Sequence, residues 1–371
     1  MRRAVHGGRL PDEYFMRKAL ALAERGRGHT NPNPMVGALV VDSDGVIVGA
    51  GAHRVAGGPH AEVIALGHAG ERARGATLYC TLEPCAHTGR TGPCAPLVAA
   101  SGITRAVIAM EDPNPLVQGR GLAHLRDRGV AVHTGVLARE AARQNEVFLT
   151  NVTQTRPFVI VKAALSVDGC IAGQGRAPVR LTGAEANRIV HRERAEVDAI
   201  AVGSTTILSD DPQLTARGAY RERPLARVIF DRRLRTSPAA RILTTRPAGP
   251  IIVMTGRAAM ESHPETVDAL ERAGARVVAM EAGVLGPSLG WLFAEAGITS
   301  MLVEGGAALH RALFDEGLVD VVQAYITPVS IGGRGLKWME PGWFTLSELG
   351  ERRADWFGSD VRVEGHVHRH H

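Results

Sequence analysis

A histidine, a glutamate and two cysteines are spaced in this sequence as they would be around a catalytic zinc ion. The run His60-Ala61-Glu62 is followed by Pro84-Cys85 and then by Cys94. Three protein ligands of mixed imidazole and thiolate type leave the fourth tetrahedral position of zinc open for a water molecule, whose pKa the metal lowers. The sequence therefore predicts that His60, Cys85 and Cys94 bind Zn²⁺. A purely structural zinc is disfavoured because such sites usually have four protein ligands.

Glu62 is the predicted catalytic residue of this site. A glutamate two residues after a zinc histidine can take a proton from the metal-bound water and deliver it to a ring nitrogen and to the leaving ammonia. Histidine-x-glutamate followed by Pro-Cys and a second cysteine is the signature of zinc deaminases, so the pattern predicts hydrolytic deamination. In nucleoside and tRNA deaminases two residues separate the cysteines, whereas eight separate Cys85 from Cys94.

Further motifs make the chain similar to a known family. Thr81 to Cys94 reads TLEPCAHTGRTGPC, and it is accompanied by the run Asn31-Pro-Asn-Pro-Met-Val-Gly37, by His53 and by Asp112-Pro-Asn-Pro115. In these motifs, and along its whole length, the chain resembles the bifunctional riboflavin-biosynthesis deaminase-reductases. The resemblance implies that four residues line the pyrimidine pocket: Asn33, His53, His87 and Arg90.

The second half of the chain carries motifs of the same family. Lys162–Gly169, which reads KAALSVDG, resembles the start of a dihydrofolate-reductase-like domain that uses NADPH to reduce a ribosyl group to a ribityl group. Residues 204–217 resemble its cofactor and substrate loop, and 302–306 form a strand-glycine-glycine turn of the kind that brings phosphate to backbone N–H groups. The resemblance implies cofactor contacts at Ala164, Thr206, Asp210 and Gly306, and substrate contacts at Lys162, Arg194, Leu214, Arg217 and Glu304.

The chain departs from the family at two positions. Pro178 and Arg180 stand where family members usually carry serine and tryptophan. Proline offers neither a hydroxyl nor a backbone N–H. A specialised relative that acts on another phosphorylated pyrimidine therefore stays open as an alternative. A tRNA or nucleoside deaminase with an appended domain is the other alternative, although it would not explain the cysteine spacing or the Asp210-Asp211-Pro212 loop.

Composition agrees with a two-domain enzyme. The chain has 371 residues, 45% of them hydrophobic, which is enough for two cores. Its formal net charge is +5, and nearly all of the positive charge is supplied by arginine, which binds phosphate through two N–H groups at once. The aromatic content of 4% weakens the case for a surface that stacks nucleic-acid bases, although the charge alone does not exclude nucleic-acid binding. We expect a small phosphorylated pyrimidine as substrate, no nucleic-acid partner, and a homo-oligomer.

The sequence favours a cytoplasmic location without membrane contact. It contains no run of roughly twenty apolar residues that could span a bilayer. The first eight residues, MRRAVHGG, lack the apolar core of a signal peptide. Of the four cysteines, two are predicted zinc ligands, and Cys80 and Cys170 are predicted to be core thiols.

Hydrophobic periodicity predicts the elements that position the zinc site. We expect a domain over residues 1–150 with a cytidine-deaminase-like α/β/α sandwich fold. Its predicted elements include a helix capped by Asp12, a hairpin at Ser43-Asp44-Gly45, metal-bearing helices over 60–66 and 94–100, and a closing helix over 138–148.

The reductase domain is predicted to span residues 156–371, after a polar linker at 150–157. Near-continuous apolar runs alternate with helical patterns, which indicates a mostly parallel sheet in a dihydrofolate-reductase-like α/β domain. The predicted parallel strands cover 158–164, 199–202, 227–230, 251–254, 276–279 and 300–303. The strands over 321–326 and 361–367 are expected to pair antiparallel.

Overall fold

The structure is a computed structural model, which describes residues 10–86, 92–115, 117–221, 223–281, 283–340 and 342–367. The chain divides into two compact units, Met1–Gln154 and Thr155–His371. Among the described residues, every helix is too short or too polar to cross a bilayer.

The first unit is built on a five-stranded sheet. Its strands are β1 (Gly37–Val41), β2 (Ile47–Ala52), β3 (Thr77–Cys80), β4 (Arg105–Ile108) and β5 (Ala131–Thr134). Their order is β2-β1-β3-β4-β5, in which β1 is antiparallel to both neighbours and β3, β4 and β5 are parallel. The helices are α1 (Asp12–Ala23), α2 (Ala61–Ala69), α3 (Cys94–Ala100), α4 (Arg120–Asp127), α5 (Ala138–Gln144) and α6 (Glu146–Gln154), with 3₁₀ turns at Glu24–Gly26 and Gly70–Ala73.

Helix α2 lies unusually close to strand β2. A Cβ atom added to Gly51 would lie 2.1 Å from the carbonyl oxygen of Ala61, and one added to Gly49 would lie 2.1 Å from that of Ala65. These glycines therefore let the helix backbone rest directly on the strand. Because α2 begins immediately after His60, this contact sets the position of the predicted zinc histidine.

Two details of the first unit differ from the sequence predictions. Asp12 is the first residue of α1 and Pro11 is the N-cap. The Asp12 carboxylate instead accepts hydrogen bonds from Arg105 and, to smaller effect, from Tyr79, which lower its pKa to about 2. The predicted closing helix is interrupted at Asn145, whose side chain bonds the backbone of Met35, and the second piece continues to Gln154.

The second unit contains a nine-stranded sheet of order β11-β10-β9-β8-β12-β6-β13-β16-β15. Its strands are β6 (Phe158–Ser166), β8 (Ala199–Gly203), β9 (Ala226–Phe230), β10 (Ile251–Gly256), β11 (Ala275–Met280), β12 (Ser300–Val303), β13 (Val321–Thr327), β15 (Gly350–Phe357) and β16 (Asp360–His366). The strands from β11 to β13 are parallel, and the β13-β16-β15 edge is antiparallel. Strands β7 (Cys170–Ala172) and β14 (Leu336–Lys337) form a separate antiparallel pair.

Helices cover this larger sheet. They are α7 (Ala184–Glu196), α8 (Ser204–Asp210), α9 (Arg257–Ser262), α10 (Pro264–Arg272), α11 (Gly286–Ala294) and α12 (Ala307–Asp315), with 3₁₀ turns at Gln174–Arg176, Arg241–Ala248 and Leu346–Glu348. The parallel sheet was predicted correctly because its central strands are buried on both faces. Helix α8 was not predicted as a helix, since its Ser- and Thr-rich sequence has weak helical preference.

Candidate active sites

Three elements of the first unit bring the predicted zinc ligands together. His60 is the N-cap of α2, Cys85 lies in the segment after β3, and Cys94 is the first residue of α3. The Nδ1 atom of His60 lies 3.2 Å from the Sγ atom of Cys94 and 3.6 Å from that of Cys85. One ligand atom from each residue lies within 4.8 Å of the other two.

This cluster fits a zinc ion. Ligand atoms about 2.0–2.3 Å from a tetrahedral zinc lie about 3.5 Å from one another, close to the separations found here. Hydrogen bonds from Cys94 and His60 lower the pKa of Cys85, which favours its thiolate form. The Cys85 sulfur also accepts a hydrogen bond from the backbone N–H of Cys94 at 3.4 Å. One imidazole nitrogen and two sulfurs therefore provide the mixed donor set of a catalytic zinc site.

Glu62 lies in the first turn of α2, two residues after the predicted ligand His60, and only 4% of it is exposed. Burial raises the pKa of this carboxyl group. A carboxyl whose pKa is raised takes up a proton more readily, as a general base must. The surroundings of Glu62 thus suit the role predicted for it.

Asn33 and His53 lie together beside the zinc cluster. The His53 and His60 rings are 5.5 Å apart. His53 Nδ1 lies 3.0 Å from the carbonyl oxygen of Pro59, and its Nε2 lies 3.1 Å from Nδ2 of Asn33. Because a carbonyl can only accept, Nδ1 carries the hydrogen and Nε2 accepts from Asn33. Burial also lowers the pKa of His53, which favours the neutral ring. His87 and Arg90 lie outside the described residues.

In the second unit, Glu304 binds Arg194 in a two-pronged ion pair. Nε and Nη2 of Arg194 lie 2.5 and 2.6 Å from the two carboxylate oxygens. Burial alone would raise the pKa of Glu304, but Arg194 and Lys162 lower it to about 2. Desolvation lowers the pKa of Lys162. The structure therefore joins three predicted substrate residues: α7 supplies Arg194, the end of β12 supplies Glu304 and β6 supplies Lys162.

Four predicted residues line one cavity of about 210 Å³: Arg194, Asp210, Leu214 and Arg217. The backbone of the cavity loop is unusual, because Asp211 and Leu214 both have positive φ, of 39° and 50°. Such conformations are uncommon away from glycine and are concentrated at functional sites. Thr215 and Arg241, which sequence reasoning did not select, also line the cavity.

Thr206 lies against the glycine turn that follows β12. A Cβ atom added to Gly305 would lie 2.9 Å from Oγ1 of Thr206, and one added to Gly306 would lie 3.6 Å from it. The structure thus brings together two predicted cofactor residues, Thr206 and Gly306. Ala164 lies two residues after Lys162 on β6 and is not part of the cavity lining.

His310 was missed by sequence reasoning. It lies on α12, is 2% exposed, and its Nε2 donates to the carbonyl oxygen of Val303 at 3.1 Å. Its Nδ1 accepts a hydrogen bond of 2.9 Å from Nε1 of Trp338. The ring therefore links the end of β12 to the segment after β14. The only feature of the sequence that could have drawn attention to His310 is its position four residues after Gly306.

The two positions that depart from the family lie on the surface. Pro178 and Arg180 are both exposed, in a segment without helix or strand that follows the 3₁₀ turn at Gln174–Arg176. Neither residue is part of the cavity lining.

Two family models match the chain. The model described as "Cytidine and deoxycytidylate deaminase zinc-binding region" matches residues 10–110, and the one described as "RibD C-terminal domain" matches residues 157–350. These matches confirm the cytidine-deaminase-like fold of the first unit and the reductase assignment of the second. They also confirm zinc and NADPH as the cofactors.

Curated relatives and solved structures match nearly the whole chain. The riboflavin biosynthesis protein RibD of Aquifex aeolicus is 41% identical over 355 residues, covering 95% of this chain and 97% of the relative. The RibD protein of Escherichia coli is 41% identical, covering 88% and 91%. Acinetobacter baumannii RibD superposes with a TM-score of 0.82 at 34% identity, covering 96% and 99%. A Thermotoga maritima structure, described as a diaminohydroxyphosphoribosylaminopyrimidine deaminase/5-amino-6-(5-phosphoribosylamino)uracil reductase, gives 0.81 at 35% identity, covering 96% and 99%. These matches cover both the unit with the candidate zinc ligands and the unit with the Arg194–Glu304 ion pair. This protein therefore belongs to the RibD family of riboflavin-biosynthesis enzymes.

Proposed function

We propose that the chain catalyses two consecutive steps of riboflavin biosynthesis. The first unit hydrolyses the C2 amine of 2,5-diamino-6-ribosylamino-4(3H)-pyrimidinone 5′-phosphate. The second unit reduces the ribosyl group of the deaminated product to a ribityl group with NADPH. The observation that carries the proposal is the cluster of His60, Cys85 and Cys94 beside buried Glu62, in a chain that matches RibD proteins in both units.

In the first unit, Glu62 moves the protons. Deamination consumes water, replaces the amine with a carbonyl oxygen and releases ammonia, so protons must pass from the water to the ring and to the departing nitrogen. Glu62 accepts a proton when ionised and donates it when neutral, and burial raises its pKa, which makes the carboxylate a stronger base. Asn33 donates a hydrogen bond to His53 through Nδ2, so its Oδ1 atom is left to accept a hydrogen bond from the pyrimidine. Bound zinc supplies an activated water, and bound NADPH supplies the hydride.

In the second unit, the charged residues orient the sugar phosphate. Arg194 is neutralised by Glu304, so Arg217 and Arg241 bring the remaining positive charges to the cavity. The lining also includes the carboxylates of Asp210 and Asp211. The two guanidinium groups are the part of the lining that suits a phosphate group. The positive charge of Lys162 helps to lower the pKa of Glu304, and the two side chains provide a proton donor and a hydrogen-bond acceptor for the ribose.

The test is a product analysis with purified protein. Incubation with the diamino substrate alone should give the deaminated compound, and addition of NADPH should convert it to the ribityl product with matching NADPH oxidation. Mass spectrometry distinguishes the three compounds. Glu62→Gln should block the first conversion, while supplied deaminated intermediate should still be reduced. Failure of the unmutated, zinc-loaded protein to deaminate the diamino substrate would overturn the proposal.

The alternatives predict different products. A tRNA or nucleoside deaminase would act on those substrates and leave the diamino compound unchanged. A specialised relative, suggested by Pro178 and Arg180, would deaminate it without oxidising NADPH or would prefer another phosphorylated pyrimidine.

A cytoplasmic location, a homo-oligomeric state and the lack of nucleic-acid and membrane partners are further parts of the proposal. Cell fractionation, sedimentation analysis, and binding assays with RNA and vesicles test them.

A further inference from the structure

Glu83 is a buried carboxylate that the proposed chemistry does not use. It lies two residues before the zinc ligand Cys85, and 4% of it is exposed. Its Oε2 atom accepts backbone N–H groups of Asp112 at 3.2 Å and Gly119 at 3.0 Å. Its Oε1 atom accepts those of Gly121 at 2.8 Å and Leu122 at 3.3 Å. Four backbone donors therefore surround one side chain.

Three of these donors belong to the start of α4. Gly119 is the N-cap of this helix, has a φ of 73°, and has no side chain that could cap it. The first N–H groups of a helix lack partners within the helix, and their partial positive charge favours an anion. Glu83 supplies both the missing acceptors and the charge from another part of the chain.

The start of α4 also lies directly on the residue that precedes Cys85. A Cβ atom added to Gly121 would lie 1.9 Å from the carbonyl oxygen of Pro84. On its other side, α4 packs against α3, since Leu122 and Leu125 share a core cluster with Val98. Because α3 begins at Cys94, α4 packs against both segments that carry the cysteines.

We propose that Glu83 is a positioning residue of the metal centre. By holding α4 against Pro84, it keeps the Sγ atom of Cys85 at the distance from His60 and Cys94 that one zinc ion requires. The inference rests on the proposed zinc-dependent deamination. It predicts that loss of the Glu83 carboxylate weakens zinc retention before it unfolds the first unit.

The experiment measures zinc release from purified full-length protein into a colorimetric chelator. In Glu83→Gln an amide NH₂ replaces one carboxylate oxygen and faces backbone donors, so we expect zinc release about tenfold faster or more, within the range for residues that orient metal ligands. The deamination kcat should fall in parallel, whereas reduction of supplied intermediate should be unchanged. Glu83→Asp keeps the charge but is shorter, and its zinc-release rate should be intermediate.

Two matched controls separate positioning from general stability. Asp42→Asn removes a carboxylate that accepts two backbone N–H groups in a hairpin of the same unit, and Glu316→Gln removes one that caps α11 in the other unit. Both should release zinc like the unmutated protein. The zinc-release rates of all variants are compared at urea concentrations chosen so that the first unit has the same free energy of unfolding in each.

Three outcomes would overturn the inference. They are zinc release from Glu83→Gln within twofold of the unmutated protein, equal release from Glu83→Gln and Asp42→Asn at matched stability, and failure of both Glu83 variants to fold the first unit. The last result would make the carboxylate a requirement of the fold rather than of the metal centre. A zinc-loaded unmutated protein that does not deaminate would contradict the proposed function and leave the zinc comparison standing.

Discussion

Glu62 and Glu304 have opposite pKa shifts because their neighbours differ. Burial dominates at Glu62 and raises its pKa. At Glu304, burial is outweighed by Arg194 and Lys162, so the pKa falls to about 2. The surroundings of Glu62 therefore suit its proposed role as a proton carrier, whereas those of Glu304 keep its carboxylate negatively charged.

The role of Glu62 gives the first prediction. Glu62→Gln keeps the three zinc ligands but cannot exchange a proton, so it should retain zinc and lose on the order of 10² to 10⁴ in deamination rate. Metal analysis and single-turnover deamination assays measure the two quantities. Parallel loss of zinc and activity would instead show that Glu62 is needed for metal binding, and loss of reduction as well would contradict independent sites.

His310 gives a prediction about pH and stability. Burial lowers the pKa of His310 to about 4, from the ordinary histidine value of about 6.5. Below pH 6.5 the unfolded chain therefore binds a proton that the folded chain does not, and the free energy of unfolding falls as the pH drops from 6.5 to 4. Each pKa unit corresponds to about 1.4 kcal/mol, so His310 should account for a loss of about 3 kcal/mol over this range.

The measurement uses the tryptophans. All four, Trp291, Trp338, Trp343 and Trp356, lie in the second unit. Urea unfolding followed by their fluorescence should show a steeper loss of stability between pH 6.5 and pH 4.5 in the unmutated chain than in His310→Gln. Equal pH dependence in the two proteins would mean that His310 does not titrate in this range.

At the scale of elements, the close contact between α2 and β2 should be sensitive to one methyl group. The Cβ of Gly51→Ala would lie 2.1 Å from the carbonyl oxygen of Ala61, so the helix must move away and carry His60 and Glu62 with it. Overpacking of this kind costs about 1–3 kcal/mol. A displacement near 1 Å should lower the deamination rate about 10²-fold. Thermal unfolding and deamination kinetics test both effects.

Gly67→Ala is the matched control for that variant. Gly67 lies on the same helix, and a Cβ atom added there meets nothing within 4 Å. Alanine should therefore stabilise α2 by up to about 1 kcal/mol through its higher helix propensity. A rate loss in Gly67→Ala equal to that in Gly51→Ala would indicate that the contact with β2 is not what positions the catalytic residues.

The sequence could predict elements whose signal is local, and it failed where contacts are remote. The parallel strands follow from apolar runs, and the zinc ligands follow from their residue types and spacing. Helix α8 was missed because its propensity is weak. Glu83 and His310 were missed because their partners, the start of α4 and Trp338, are distant in sequence. A single sequence does not indicate which buried polar residue will form a hydrogen bond with which distant group.

At the scale of the whole molecule, the two units should respond to different ligands. The predicted zinc ligands all lie in the first unit, and the proposed NADPH residues all lie in the second. Zinc removal should lower the stability of the first unit and leave the tryptophan-detected transition of the second unchanged. NADPH at 100 times its dissociation constant should stabilise the second unit by about 2.7 kcal/mol. A single transition that shifts with either ligand would show that the units unfold together.

The presence of both units on one polypeptide has a consequence for metabolism. The cell makes the two sites in equal numbers, whatever the expression level. At steady state, the deaminated intermediate accumulates until its reduction matches its formation. Because both rates are proportional to the enzyme concentration, that concentration cancels when the two rates are set equal. The level of the intermediate then depends on the ratio of the two specific activities and on NADPH, and overproduction of the chain should raise flux without raising the intermediate.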